Sequence, residues 1–214
     1  MKKHRLAKVF EPQSVAVIGA SDKELSFGAL LLGNIIGGGF QGAIYPVNPG
    51  YKQIGDLTCY PSITDIDHPV DLAIIIIPAP AIPRVLRQCG DHGVAAAIII
   101  SAGFGEVGAR GQALQDQIVD IARTSNIALV GPNCMGVIRP TAGLNASFAK
   151  SRVLKGQVAL VSQSGAFCAA MLDGGESNGF GFSAVASLGA TADVGFGEVL
   201  DYLALDAQTK SILL

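Results

Sequence analysis

The chain has 214 residues, half of them hydrophobic and only 15% charged, with a net charge of −2 at neutral pH. That balance excludes a disordered polyelectrolyte and supplies no global pull toward nucleic acid or an anionic membrane surface. No uninterrupted apolar window reaches membrane-spanning length, and the basic start Met1-Lys2-Lys3-His4-Arg5 leads into no apolar signal segment.

The regular structure opens at Val15-Ala16-Val17-Ile18, an apolar run with three β-branched residues that predicts a strand buried on both faces. Gly19-Ala20-Ser21 follows, then a helical pattern from Phe27 to Ile36 that Gly37-Gly38-Gly39 closes. This order sets a small, flexible turn between a parallel strand and a helix N-terminus, where unpaired N–H groups and the helix dipole favour a phosphate. A glycine that only allows tight strand–helix packing is the other reading, and the spacing to Gly28 is not G-x-G-x-x-G. Ala43 to Val47 predicts the second strand. It runs into Asn48-Pro49 without the Asp or Glu that reads ribose hydroxyls in a nicotinamide-binding unit, which argues against a dehydrogenase. Lys52, in the loop beyond, is either a cation close to a ligand or a solvated loop lysine.

Asp71 through Ile77 predicts a central parallel strand, stopped by Pro78-Ala79-Pro80. Ile82, Val85, Leu86 and Cys89 then mark one helix face. Ala95 to Ile100 is another buried strand, running into Ser101-Ala102-Gly103-Phe104-Gly105-Glu106, a loop at a strand carboxyl end where open α/β sheets bind ligands. Leu114, Ile118, Ile121 and Ala122 face inward on the next helix, and Ile127 to Val130 enters Gly131-Pro132-Asn133-Cys134-Met135-Gly136. Five strands alternating with four helical patterns predict an α/β, doubly wound parallel sheet over residues 1–136.

Residues 137–156, with Pro140, Gly143 and Gly156, read as an irregular connection. A second α/β cycle over 157–214 follows: strand Val158 to Val161, turn Ser162-Gln163-Ser164-Gly165, a helix from Ala166, strand Phe182 to Ser187, and a helix face of Phe196, Val199, Leu200 and Leu203. Ser211 to Leu214 enters a further strand, an unfinished sheet that predicts a piece of a longer protein.

The turn at Ser162–Gly165 repeats the design of the first. It is either a second anion site or a plain N-cap at Ser164, and the glycines of a Gly-x-Ser-x-Gly nucleophile elbow are absent around Ser164. His4, His68 and His92 fall in no metal-ligand spacing and are expected in structural or solvated roles. Cys59, Cys89, Cys134 and Cys168 lie far apart beside apolar segments, which predicts reduced, buried, inert thiols and a cytoplasmic setting.

Taken together, Ser14-Val15-Ala16-Val17-Ile18-Gly19-Ala20-Ser21, Tyr45-Pro46-Val47-Asn48-Pro49 and Gly131-Pro132-Asn133-Cys134-Met135-Gly136 resemble the CoA-binding domain of NDP-forming acyl-CoA synthetases, relatives of the succinyl-CoA synthetase α subunit. Gly156 to Gly165 is similar to the start of that family's flavodoxin-like second domain, and Leu200-Asp201-Tyr202-Leu203 with Asp206 and Thr209 fits its "LxYLxxDxxT" segment. The resemblance implies a Rossmann-like CoA-binding domain followed by a truncated flavodoxin-like domain. It implies coenzyme A contacts from Gly19, Ala20, Ser21, Asn48, Lys52, Pro78, Ser101 and Gly103, and a phosphate or phosphohistidine cradle at Ser162, Gln163, Ser164 and Gly165.

For the parent protein the resemblance implies an oligomeric acid–CoA ligase; the near-neutral charge adds the expectation of neither nucleic acid nor membrane as a partner. Acyl-CoA and phosphate give an acyl phosphate, and a histidine carries the phosphoryl group to a nucleoside diphosphate, with Mg2+, on an ATP-grasp domain or subunit. The family's histidine would fall past Leu214, so this stretch is expected to bind CoA without completing the reaction and to hold no catalytic residue. Thr191 stands near where the family commonly has Asn. Gly143 to Phe148 also looks like relatives ending in a GNAT acetyltransferase domain, where the synthetase-like half is an acyl-CoA sensor. That sensor is one alternative, and an NAD(P)-binding Rossmann protein is the other.

Overall fold

The computed structural model describes residues 4–214. A short apolar turn of helix, α1 (Ala7–Phe10), buries Val9 and Phe10 ahead of β1 (Ser14–Ile18), all five residues of which are buried. The helix α2 (Phe27–Gly37) starts where the Ser26 hydroxyl accepts the Ala29 amide at 3.2 Å, a side-chain cap on an otherwise orphan donor. Then come β2 (Ala43–Val47), the two-residue strands β3 (Gln53–Ile54) and β4 (Leu57–Thr58), and β5 (Leu72–Ile75). Next are α3 (Ile82–Asp91), β6 (Ala96–Ile99), α4 (Ala109–Thr124) and β7 (Ala128–Val130). These strands form a five-stranded sheet in the order β2-β1-β5-β6-β7, parallel throughout.

Two expectations need correction. Between β2 and β5 there is no fourth helix; the antiparallel β3–β4 pair and a 3-10 turn at Ile63–Asp65 make the crossing, because Pro61 and Pro69 bracket too short a stretch for a packed helix, and Ile63 and Ile66 bury themselves from a single turn. Nor is 137–156 an irregular connection. It holds β8 (Gly136–Arg139) and β9 (Leu144–Ser147), an antiparallel pair folded over a 3-10 turn at Pro140–Ala142. That pair joins β10 (Lys155–Ser162), β11 (Phe182–Ser187) and β12 (Ser211–Leu213) in a second, mixed sheet ordered β12-β10-β11-β8-β9, with α5 (Gly165–Asn178) and α6 (Phe196–Ala204) as its crossovers.

Strand alternation decides which residues build which core. Val15, Val17, Leu72, Ile74, Ala96 and Ile98 face α1 and α2, whereas Ala16, Ile18, Ala73, Ile75, Ala97 and Ile99 face α3 and α4. The first of these cores runs on without a break into Ala159, Val161, Ala184 and Ala186 of the second sheet and Val199, Tyr202 and Leu203 of α6. Each fully buried aliphatic side chain contributes about 1.5–3 kcal/mol, so this shared core is the main force holding the two sheets in one arrangement.

Polar contacts fix that arrangement further. The amides of Ala190, Ala192 and Val194 donate to the carbonyls of Pro132, Gly131 and Leu129 at 2.9, 3.1 and 3.1 Å. Arg5 grips Asp193 and Glu198 and also reaches the Ile127 carbonyl at 3.2 Å. Among the described residues no helix is long and apolar enough to cross a membrane.

Candidate functional site

The first turn sits at the carboxyl end of β1, between the ends of β2 and β5. Gly19 has φ 97°, a left-handed conformation open mainly to glycine, and a Cβ there would lie 2.3 Å from the Ile76 carbonyl oxygen. Gly28 has the complementary task. A Cβ on it would lie 2.2 Å from the Gly19 oxygen, so α2 can press against the turn only because that position is bare. The Gly19 amide donates to the Val47 carbonyl at 2.9 Å, which fixes the turn to the end of β2. The helix does not begin directly after Ser21: residues 22–26 form a loop, with Leu25 left-handed at φ 62° and 86% exposed.

Asn48 ties this turn down. Its Nδ2 donates to the Ala20 carbonyl at 2.8 Å, while its Oδ1 accepts the Gly50 amide at 2.8 Å. Both ends of the side chain are thus committed to shaping the rim, where a nicotinamide-type unit would present a carboxylate to the ribose. Ser21 lies 3.3 Å from the Tyr51 hydroxyl and accepts the Lys23 amide at 2.9 Å. Gly19, Asn48 and Pro78 line one cleft of about 590 Å³, within the size range of small-molecule sites. Its other walls include Ser62, Thr64, Asp65, Arg84 and Gln88.

The remaining candidates stand apart from that wall. Ala20 is buried behind the turn. Lys52 is exposed in the loop leading to β3 and its side chain does not line the cleft; the cation that does is Arg84, on the first turns of α3. Ser101 donates to the Ile77 carbonyl at 2.6 Å, tying the ends of β5 and β6 together. Gly103 has φ 107°, but its amide donates to Glu106 Oε1 at 2.6 Å, and the Phe104 amide donates to Glu106 Oε2 at 3.2 Å. Burial opposes the Glu106 charge, yet the amides of Gly103, Glu106 and Phe104 outweigh it and hold its carboxyl below the ordinary range. That loop is closed by its own carboxylate.

The second turn follows β10. Ser164 is the N-cap of α5, its hydroxyl accepting the Phe167 amide at 3.1 Å and its carbonyl the Cys168 amide at 3.0 Å. Ser162 Oγ accepts the Ser164 amide at 3.3 Å. Gln163 donates to Thr191 Oγ1 at 2.9 Å, so the chain turns before the helix while Gly165 packs at Met135. The side-chain cap leaves the amides of Gly165 and Ala166 ahead of the capped one at Phe167. The two turns share one side of the molecule: Gly165 abuts Met135, whose carbonyl accepts the Phe148 amide, and the Phe148 ring meets Phe27 of α2 edge-on with centroids 5.2 Å apart.

Burial disfavours the thiolate form of all four cysteines, Cys59 included. Burial pushes Cys89 and Cys134 up to about 12 and Cys168 up to about 11, so all three stay protonated near neutral pH. Among the described residues the His92 ring makes one hydrogen bond, between Nε2 and the His68 carbonyl at 3.1 Å. Sequence reasoning missed Arg84 and Glu106. Glu106 carried a local signal, a carboxylate three residues past a glycine in a strand-end loop, whereas Arg84 is one of several polar residues on the outer face of α3.

Comparison with known proteins bears on this geometry. Residues 13–140 match the family described as CoA binding domain, and residues 155–214 match the succinyl-CoA ligase like flavodoxin domain. The chain is 43% identical over 209 residues to an ADP-forming acetate–CoA ligase of Archaeoglobus fulgidus, covering 98% of this chain and 30% of that protein. It is 41% identical over 213 residues to the α subunit of an ADP-forming acetate–CoA ligase of Pyrococcus furiosus, covering 98% of this chain and 46% of that one. Among solved structures, a dinucleotide-forming acetyl-coenzyme A synthetase of Ca. Korarchaeum cryptofilum, in complex with phosphate and ADP, superposes with a TM-score of 0.93 at 36% identity over 97% of this chain and 44% of its own. The chain thus spans less than half the length of each of these relatives.

Proposed function

Because this chain belongs to the CoA binding domain family and continues into the flavodoxin-like domain of succinyl-CoA ligases, we propose that it is the CoA-binding portion of an NDP-forming acid–CoA ligase. The observation that carries this reading is the cleft at the carboxyl rim of the first sheet. A bare-backbone turn at Gly19 forms one wall, Arg84 supplies positive charge, and Asn48 stands where a ribose-reading carboxylate would be needed for NAD. The residues fit the ligand: coenzyme A carries a pyrophosphate and a 3′-phosphate, which need amide donors and a cation.

In this reading residues 1–136 hold CoA or acyl-CoA, with Gly19, Ala20 and Ser21 at the pyrophosphate and Asn48, Pro78, Ser101 and Gly103 shaping the rim. Lys52 contributes long-range attraction from the neighbouring loop. The second unit, 157–214 with the β8–β9 pair packed on it, presents the turn Ser162–Gly165 to a phosphate or phosphohistidine; the amides of Gly165 and Ala166 and the α5 dipole offset its negative charge. The nucleoside diphosphate, Mg2+ and the phosphoryl-carrying histidine belong to the rest of a cytoplasmic, oligomeric parent, in an ATP-grasp domain or subunit.

Calorimetric titration of this chain with coenzyme A, acetyl-CoA and NADH tests the reading. Saturable heat with the two CoA species and none with NADH is expected. Saturable NADH binding without CoA binding overturns it.

A further inference from the structure

A second cleft, of about 530 Å³, opens between the two units at the opposite end of the strands from both turns. Its walls are the C-terminal half of α2, the β8–β9 pair, and the segment Lys150 to Lys155 that leads into β10. Three of its lining residues are cations, Lys150, Arg152 and Lys155, and no carboxylate lines it among the described residues. None of the three side chains makes an ion pair or hydrogen bond with a described residue. The carboxylates nearest this segment are already engaged: Asp173 is held by the Ser151 hydroxyl, and Glu176 accepts the Arg152 amide at 3.1 Å. The α2 C-terminus, which would attract these cations as a dipole end, has its terminal carbonyls occupied in part by the Gly38 and Gly39 amides at 2.8 and 3.1 Å.

Three like charges gathered on six residues repel one another, and the neighbouring carboxylates of Asp173 and Glu176 offset them in part without pairing directly with any of the three side chains. The floor is different in kind. Ile138 and Leu144 are buried beneath the cleft, Val153 and Leu154 flank it, and bare Gly33 and Gly37 leave open space on the helix side. An apolar floor with cations converging at the mouth is the arrangement that accepts a small anion of high charge density carrying an apolar or planar body.

We propose that this cleft binds a polyphosphate group, with Lys150, Arg152 and Lys155 as its charge partners, at a site separate from the CoA cleft. The group can belong to free inorganic polyphosphate or to a nucleotide whose base rests against the half-buried Val153 and Leu154. The two sources differ in whether these two side chains contribute.

The test is titration of the chain with tripolyphosphate and, separately, with Mg2+-free ATP, each in the presence of saturating coenzyme A. Three exposed charge contacts correspond together to about tenfold or more in affinity. The variant K150S/R152S/K155S is therefore expected to bind both anions at least about tenfold more weakly than the native chain, with CoA binding unchanged. The charge-matched variant R87S/R110S/K210S, altered only at exposed positions outside the cleft, is expected to bind them as the native chain does. ATP binding more tightly than tripolyphosphate identifies the nucleotide, and equal binding identifies the bare polyphosphate. Equal loss in both variants, no loss in the cleft variant, or displacement of the anions by coenzyme A would each overturn the proposal.

Discussion

Arg139 and Asp206 form a bidentate, buried ion pair: NH1 to Oδ2 is 2.8 Å, NH2 to Oδ1 is 2.7 Å, and the side chains are only 2% and 8% exposed. The Arg139 NH1 also donates to the Ser183 carbonyl at 2.9 Å, and Thr209 donates to Asp206 Oδ2 at 2.6 Å. Asp206 and Thr209 are the last two letters of the "LxYLxxDxxT" segment. Its acidic and hydroxyl positions therefore fasten the end of α6 to β8 and β11.

Removing Asp206 leaves the buried Arg139 guanidinium with the exposed Glu11 carboxylate, 3.5 Å away, as its remaining charge partner among the described residues, which costs about 3 kcal/mol. Asp206→Ala is expected to lower the unfolding free energy by that amount, read as a lower denaturant midpoint with an unchanged slope. A loss below about 1 kcal/mol contradicts the account. The pH dependence has a definite sign. Burial disfavours the Asp206 charge, but hydrogen bonds from Arg139, Thr209 and the Gln208 amide prevail and hold its carboxyl below the ordinary value. A depressed carboxyl stabilises the fold above its unfolded pKa, and the contribution is lost as pH falls through the folded value. Native protein should therefore lose stability on acidification below about pH 4, and Asp206→Asn should show a shallower acid limb.

Gly19 tests the first turn. Alanine there must hold φ near 97° and push the Ile76 carbonyl away from a 2.3 Å contact. Gly19→Ala is expected to destabilise the chain by about 2 kcal/mol and to remove measurable CoA binding, read by thermal melting and calorimetry. Native-like affinity in a folded Gly19→Ala chain would separate CoA recognition from this turn.

Arg84 and Lys52 make opposite predictions. Arg84 lines the cleft, and Lys52 does not. Arg84→Ala is expected to weaken coenzyme A by about tenfold and 3′-dephospho-CoA by less, whereas Lys52→Ala weakens both by a smaller, salt-dependent factor. The reverse ranking would place the ligand's charged end over the β3–β4 hairpin.

Thr191 is left-handed at φ 49°, a conformation costly for a β-branched side chain and tolerated by Asn. Thr191→Asn is expected to raise stability by about 1 kcal/mol, or the melting temperature by about 2–4 °C. A lowered melting temperature would show that the Thr191 hydroxyl, which accepts from Gln163, outweighs the strain.

What could be read from the chain follows from how local each signal is. Val15 to Ile18, Gly19 and the α2 stripe are contiguous, so strand, turn and helix were legible together. The β9 strand was not. Leu144 and Ala146 alternate with Asn145 and Ser147, but Pro140 and Gly143 on one side and Lys150 on the other look like loop, and the pairing with β8 becomes visible only in three dimensions. Arg84 escaped for the same reason: on its own helix it is one polar residue among several. Only the fold sets α3 across a cleft from the ends of β1 and β2, so that Arg84 lines it.

Amide chemical-shift mapping of the isotopically labelled chain during titration with coenzyme A is the most direct test of the central claim. The account predicts the largest shifts at Gly19, Ala20 and Ser21, with smaller ones around Asn48 and at the start of α3. Shifts confined to Ser162–Ala166, or to the second sheet alone, would contradict it.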